Sequence, residues 1–109
     1  MNNNCIFCNI VEKKQPTEII FEQEDILVIK DIAPQSPIHL LILPKKHIEN
    51  IKTIEEYDIQ LLSSMFFVAQ ELSKKLQNCD FKLVVNNGKS AGQHVFHLHV
   101  HFLSGRLNN

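Results

Sequence analysis

Residues 95–103 read VFHLHVHFL, and His97, His99 and His101 recur at every second position. Half of the chain's six histidines fall in this one segment. On an extended strand, side chains two apart share a face, roughly 6.5 Å per step. The three imidazoles then look one way, while Phe96, Leu98, Val100 and Phe102 look the other way, toward a core. A slip of one residue would bury all three histidines, so the apolar face enforces the register. Such a row can hold a metal, move protons or attack an electrophile. The last two suit histidine because its pKa of about 6.5 lies close to neutrality.

The preceding loop narrows the chemistry. Asn86 closes an apolar run, and Gly92, Gln93 and His94 stand just before the histidines. A polar, glycine-containing loop lets an anion approach backbone N–H groups. Imidazoles beside such a cradle point to attack on phosphorus and a phosphohistidine-type intermediate. Near the N-terminus, Cys5-Ile-Phe-Cys8 has the spacing of half a zinc site. Two buried thiols are the alternative. A redox pair would want a thioredoxin-like βαβ context that the sequence lacks. Cys79 is assigned no role.

These residues need elements to position them. Asn4 is a good N-cap for a short helix to about residue 12, and Pro16 stops it. The runs 19–22 and 26–31 flank Gln23-Glu24-Asp25 and read as a hairpin. APQSP, 33–37, is a loop. A third strand, 39–44, starts at His39 and ends at Pro44. Thr53 and Glu56 have capping-box spacing, and a long helix is expected over 58–78. Leu61, Leu62, Met65, Ala69, Leu72 and Leu76 form its apolar stripe. Ile59, Phe66 and Phe67 lie off the stripe, more apolar surface than one sheet face covers, which predicts a dimer interface. Runs 81–87 and 95–103 supply the fourth and fifth strands. The class is α+β, with an antiparallel sheet and the long helix crossing between strands three and four.

The bulk properties agree. The chain has 109 residues, 44% apolar and 21% charged, which suits one globular domain over 1–109. Its net charge of −1, with both signs mixed, speaks against broad nucleic-acid backbone binding. No apolar run approaches the ~18 residues of a membrane span. The N-terminus lacks the basic and apolar regions of a secretory signal. An odd count of three cysteines makes no disulfide framework, so a cytoplasmic, reducing setting is expected.

The motif His97-Leu-His-Val-His-Phe-Leu103 resembles the histidine-triad signature, in which three histidines alternate with apolar residues. VVNNG at 84–88, Gly92-Gln93, Ser104-Gly-Arg106 and DIAPQSPIHLLILPKKHI at 31–48 resemble the flanks of that family too. From about residue 5 to 106 the chain is similar to the Hint branch of the histidine-triad (HIT) superfamily. The resemblance implies a five-stranded antiparallel sheet with one long helix and a short N-terminal helix. It implies a two-fold homodimer with a continuous sheet. It also implies hydrolysis of purine nucleoside 5′-phosphoramidates; charge and hydropathy predict no nucleic-acid or membrane partner.

Roles follow from the same resemblance. His99 matches the nucleophile, and His101 the imidazole that touches phosphate and handles protons. Asn86, Gly92, Gln93 and His94 match the phosphate side. Asp31 matches the acid that holds the ribose hydroxyls, and a carboxylate can accept from two vicinal hydroxyls at once. Ile6, Phe7, Ile10, Ile29 and Ile32 match the base pocket, and His39 a supporting position. His47 and His97 match the ligands that complete a structural Cys₂His₂ zinc site with Cys5 and Cys8. One departure stands out: where relatives usually carry serine, this chain has His94, which becomes a candidate acid for the leaving group. The rival readings are a nucleotide-binding or partner-binding module with incidental turnover, a dinucleoside polyphosphate hydrolase, and a metal-binding protein using HLHVH.

Overall fold

The computed structural model describes residues 4–105. Residues 1–3 and 106–109, Arg106 among them, therefore lie outside the described residues. The elements are α1 (Ile6–Val11), β1 (Ile19–Glu22), β2 (Ile26–Lys30), β3 (Ile38–Pro44), α2 (Ile59–Lys75), β4 (Phe81–Val84) and β5 (Val100–Ser104). Short 3-10 turns occupy Ile51–Thr53, Glu56–Asp58 and Lys89–Ala91. The five strands form one antiparallel sheet in the order β1-β2-β3-β5-β4. The α+β class and the single long helix are as the sequence predicts.

Strand alternation divides the apolar residues between the two faces. One face carries Ile26, Val28, Leu40, Ile42 and Phe102 against Met65, Val68, Ala69 and Leu72 of α2. Each of these buried side chains larger than Ala69 contributes roughly 1.5–3 kcal/mol. The other face carries Leu27, Ile29, Leu41 and Leu43 beneath Phe7 and Ile10 of α1. Since α1 has only 6 residues, it covers one end of that face and leaves the other open. The functional side chains lie on this half-covered face.

Several boundaries differ from the sequence expectation. The N-cap of α1 is Cys5, not Asn4, and its Sγ accepts the Cys8 N–H. Thr53 does not start the long helix. It closes a 3-10 turn capped by Asn50, and Asp58 Oδ2 accepts the Glu55 N–H in the next turn. Residues 76–78 fall outside α2, because Gln77 and Asn78 adopt positive φ. β4 ends at Val84, three residues early.

The largest correction concerns the histidine strand. Only residues 100–104 pair as β5, so His97 and His99 precede the ladder. β3 ends in Pro44, which has no N–H to extend the pairing. Upstream of Val100 the chain is held by different bonds. Leu98 N–H donates to the Ile48 carbonyl at 2.6 Å, and His97 Nε2–H to the Pro44 carbonyl at 2.8 Å. Leu98 and Phe102 are buried as expected, whereas Phe96 is exposed.

Candidate active site

The open end of the sheet face forms a cavity of about 810 Å³. Its apolar end is walled by Ile6, Phe7 and Ile10 of α1 and by Ile29 and Leu41 of the sheet. Asp31 and the loop after β2 form one side. Asn86, Gly92, His94 and Val95 form the other, and His99 and His101 also line the space. Ile32 lines the cavity but is 97% exposed, so it is a rim residue rather than a wall. Gln93 is not among the lining residues, and its side chain is buried.

Hydrogen bonds fix the state of each imidazole. His99 Nδ1 lies 2.7 Å from the His97 carbonyl, which can only accept. The proton therefore sits on Nδ1, and Nε2 keeps its lone pair. His39 Nδ1 accepts the Gln35 N–H at 3.0 Å, so its own proton is on Nε2. That Nε2–H meets His101 Nδ1 at 2.9 Å, and Asp31 Oδ2 lies 3.3 Å from the same atom. His101 Nδ1 thus accepts, and the neutral ring carries its proton on Nε2. The outcome is one bare ring nitrogen on His99 beside one N–H on His101, with ring centroids 5.1 Å apart. This is the pairing of a nucleophile with a hydrogen-bond donor. Phe7 packs edge-on against His99 at 5.1 Å and holds the ring in place.

Burial keeps both rings uncharged. It lowers the His99 pKa below the usual histidine value, only partly opposed by the His97 carbonyl and the negative charge of Asp31. His101 is pushed down to about 4, first by burial and then by the neighbouring His99 and His39. An unprotonated His99 is what attack requires.

The loop of residues 86–95 is built around two glycines at positive φ, Gly88 and Gly92. The Ala91 and Gln93 N–H groups both donate to the Gly88 carbonyl, and Asn86 Nδ2 donates to the Ala91 carbonyl. Among the described residues, the backbone N–H groups of His94 and Val95 have no hydrogen-bond partner. Such unpaired donors beside a cavity suit an anion. The His94 side chain is exposed at the cavity edge.

A second cluster lies behind His99. Cys5, Cys8, His47 and His97 are positioned to bind a metal ion. Cys5 Sγ and Cys8 Sγ are 3.4 and 3.6 Å from His97 Nδ1, Cys8 Sγ is 3.2 Å from His47 Nδ1, and the two Nδ1 atoms are 3.2 Å apart. A tetrahedron of Zn–S and Zn–N bonds has edges of roughly 3.3–3.8 Å, so the donor set fits. His97 offers Nδ1 because its Nε2–H is held by the Pro44 carbonyl. Its pKa is pushed down to about 4, chiefly by burial, which keeps Nδ1 free of a proton.

The sequence did not single out Leu41, Asn50 or the Pro44 carbonyl. Leu41 was within reach, because it stands two residues from His39 and shares its face. Asn50 and a backbone carbonyl carry no sequence signal of their own.

Comparison with known proteins places this arrangement. Residues 4–109 match the family described as scavenger mRNA decapping enzyme, C-term binding. An uncharacterised HIT-like protein of Chlamydia trachomatis is 44% identical over 104 residues, which cover 94% of this chain and 93% of that protein. A HIT family hydrolase from Clostridium thermocellum superposes with a TM-score of 0.93 at 39% identity, covering 100% of this chain and 97% of that one. A histidine triad protein from Clostridium difficile gives 0.93 at 32% identity, with 100% and 97% covered. The chain belongs to the histidine triad superfamily and is a HIT family hydrolase-like protein.

Proposed function

We propose that the chain hydrolyses purine nucleoside 5′-phosphoramidates, as the Hint-branch resemblance implies. The observation that carries this reading is the bare Nε2 of His99, fixed by the 2.7 Å bond from Nδ1–H to the His97 carbonyl, in a cavity bordered by unpaired N–H groups. The base lies between α1 and the sheet, where an apolar slot holds a flat ring and barely distinguishes adenine from guanine. Asp31 takes the ribose hydroxyls. The α-phosphate lies against His101 and the loop with Asn86, Gly92 and His94.

His99 Nε2 attacks phosphorus, the P–N bond breaks, and the amine departs with a proton. His94 supplies that proton. Water then attacks phosphorus, its proton returns to His94, the bond to His99 Nε2 breaks and the nucleoside monophosphate is released. Zinc held by Cys5, Cys8, His47 and His97 is structural. With all four positions filled by protein it supplies no open coordination site, only a tie between α1 and the segments before β5 and after β3. The working form is a homodimer in a reducing cytoplasm.

AMP release from adenosine 5′-phosphoramidate, measured beside a folded His99→Ala variant, tests the reading. Release by the wild type and near-total loss in the variant are expected. Negligible turnover by both, with AMP still bound, would favour a nucleotide-binding module. Faster cleavage of a dinucleoside polyphosphate would move the substrate class.

A further inference from the structure

Gln93 and Asn50 are each 1% exposed, and the Gln93 amide already has four partners. Its Nε2 donates to the carbonyls of Glu49 at 2.8 Å and Val95 at 3.0 Å. Its Oε1 accepts from the Gly88 N–H at 2.8 Å and from Asn50 Nδ2 at 3.0 Å. A primary amide has two donor hydrogens and two acceptor lone pairs, so none is left for a ligand. Asn50 is committed on both sides of its amide, since Nδ2 donates to Gln93 and Oδ1 caps the Lys52 N–H at 2.9 Å.

We propose that Asn50 and Gln93 are a positioning pair, a buried amide clasp that holds the loop of residues 86–95 in the shape that receives the substrate phosphate. The inference rests on the proposed function, in which that loop binds the anion, and changes the role of Gln93 from contact to support. The clasp ties both ends of the loop to a separate segment. Gly88 and Val95 bond to Gln93, which bonds to Glu49 and Asn50. A further tie joins the Ile51 N–H to Asn87 Oδ1 at 2.8 Å. The two unpaired N–H groups, on His94 and Val95, follow Gln93 directly. Between the glycines the loop's own bonds are short-range, so its position relative to His99 depends on this outside anchor. The apolar end of the cavity is built by α1 and the sheet and bonds to neither amide.

Loss of the clasp should therefore weaken the grip on phosphate and spare the grip on the nucleoside. Equilibrium binding of AMP and of adenosine reads the two separately, in the wild type, Gln93→Leu, Asn50→Ala and Asn50→Asp. The last keeps the cap on Lys52 and sets an acceptor against Gln93 Oε1 in place of the donor. In the variants AMP should bind at least tenfold more weakly and adenosine within twofold of wild type, with the loss in kcat/KM falling mainly on KM.

A folded variant that retains the wild-type ratio of AMP to adenosine affinity overturns the clasp. Equal weakening of both ligands, or collapse of all three variants, would also overturn it by showing a merely structural role. A wild type that binds AMP no better than adenosine would instead overturn the functional reading beneath it.

Discussion

At the scale of single residues, the site works by hydrogen bonds that assign protons. A backbone carbonyl takes the Nδ1 proton of His99, and a backbone N–H, through His39, decides which nitrogen of His101 is protonated. Burial then sets the pH range. A free histidine loses its charge near pH 6.5, but His101 is pushed down to about 4 and His99 moves in the same direction. The protonation of His99 that would remove the attacking lone pair therefore sets in below the ordinary histidine range. On the acid side, kcat/KM for adenosine 5′-phosphoramidate should begin to decline only below the ordinary histidine range around 6.5. A pH–rate profile checks this, and an acid limb centred near 6.5 would contradict it. None of this proton assignment was legible in the sequence. Periodicity showed that three imidazoles share a face; the partner of each ring nitrogen depends on carbonyls and N–H groups distant along the chain.

At the scale of elements, the strands and the long helix were legible because their apolar periods differ, two against 3.6. β1 was placed to the residue, and β3 to within one. The sequence overstated β5, since alternation records which face each side chain takes and not whether the backbone pairs. Gln93 shows the same limit: its polarity and glycine neighbour mark a loop, and only the fold reveals that its amide is buried. The cysteine spacing was more informative, because Cys5 and Cys8 meet His47 and His97 from two other segments. A bound ion would cross-link these three segments and add its binding free energy to folding. Cys5→Ser with Cys8→Ser should remove about one equivalent of zinc and lower the melting temperature by roughly 10 °C, as a loss of about 2 kcal/mol does in a domain of this size. Elemental analysis and a thermal scan check both, and unchanged zinc content would sink the assignment.

At the scale of the whole molecule, the surface bears on assembly. The stripe of α2 that faces the sheet is satisfied by Met65, Val68, Ala69 and Leu72. The opposite side is not: Ile59, Phe66 and Phe67 are 56%, 67% and 68% exposed. A pair of adjacent, two-thirds exposed phenylalanines is costly in water, which predicts that this side of α2 is covered by a second copy. A closed two-fold contact buries the same patch on both copies, and about 800 Å² per partner suffices for a specific complex. The continuous-sheet dimer drawn from the resemblance would also pair the free edge of β4, which ends the strand order beside β5. Light scattering coupled to size exclusion should therefore give twice the 12.6 kDa chain mass at micromolar concentration. Phe66→Glu with Phe67→Glu should return it to the single-chain mass. Because neither side chain belongs to the buried core, the variant should keep its helical circular dichroism, so that dissociation is read apart from unfolding. A wild type that runs as a monomer, or a double variant that remains dimeric, would show that this face of α2 does not hold the copies together.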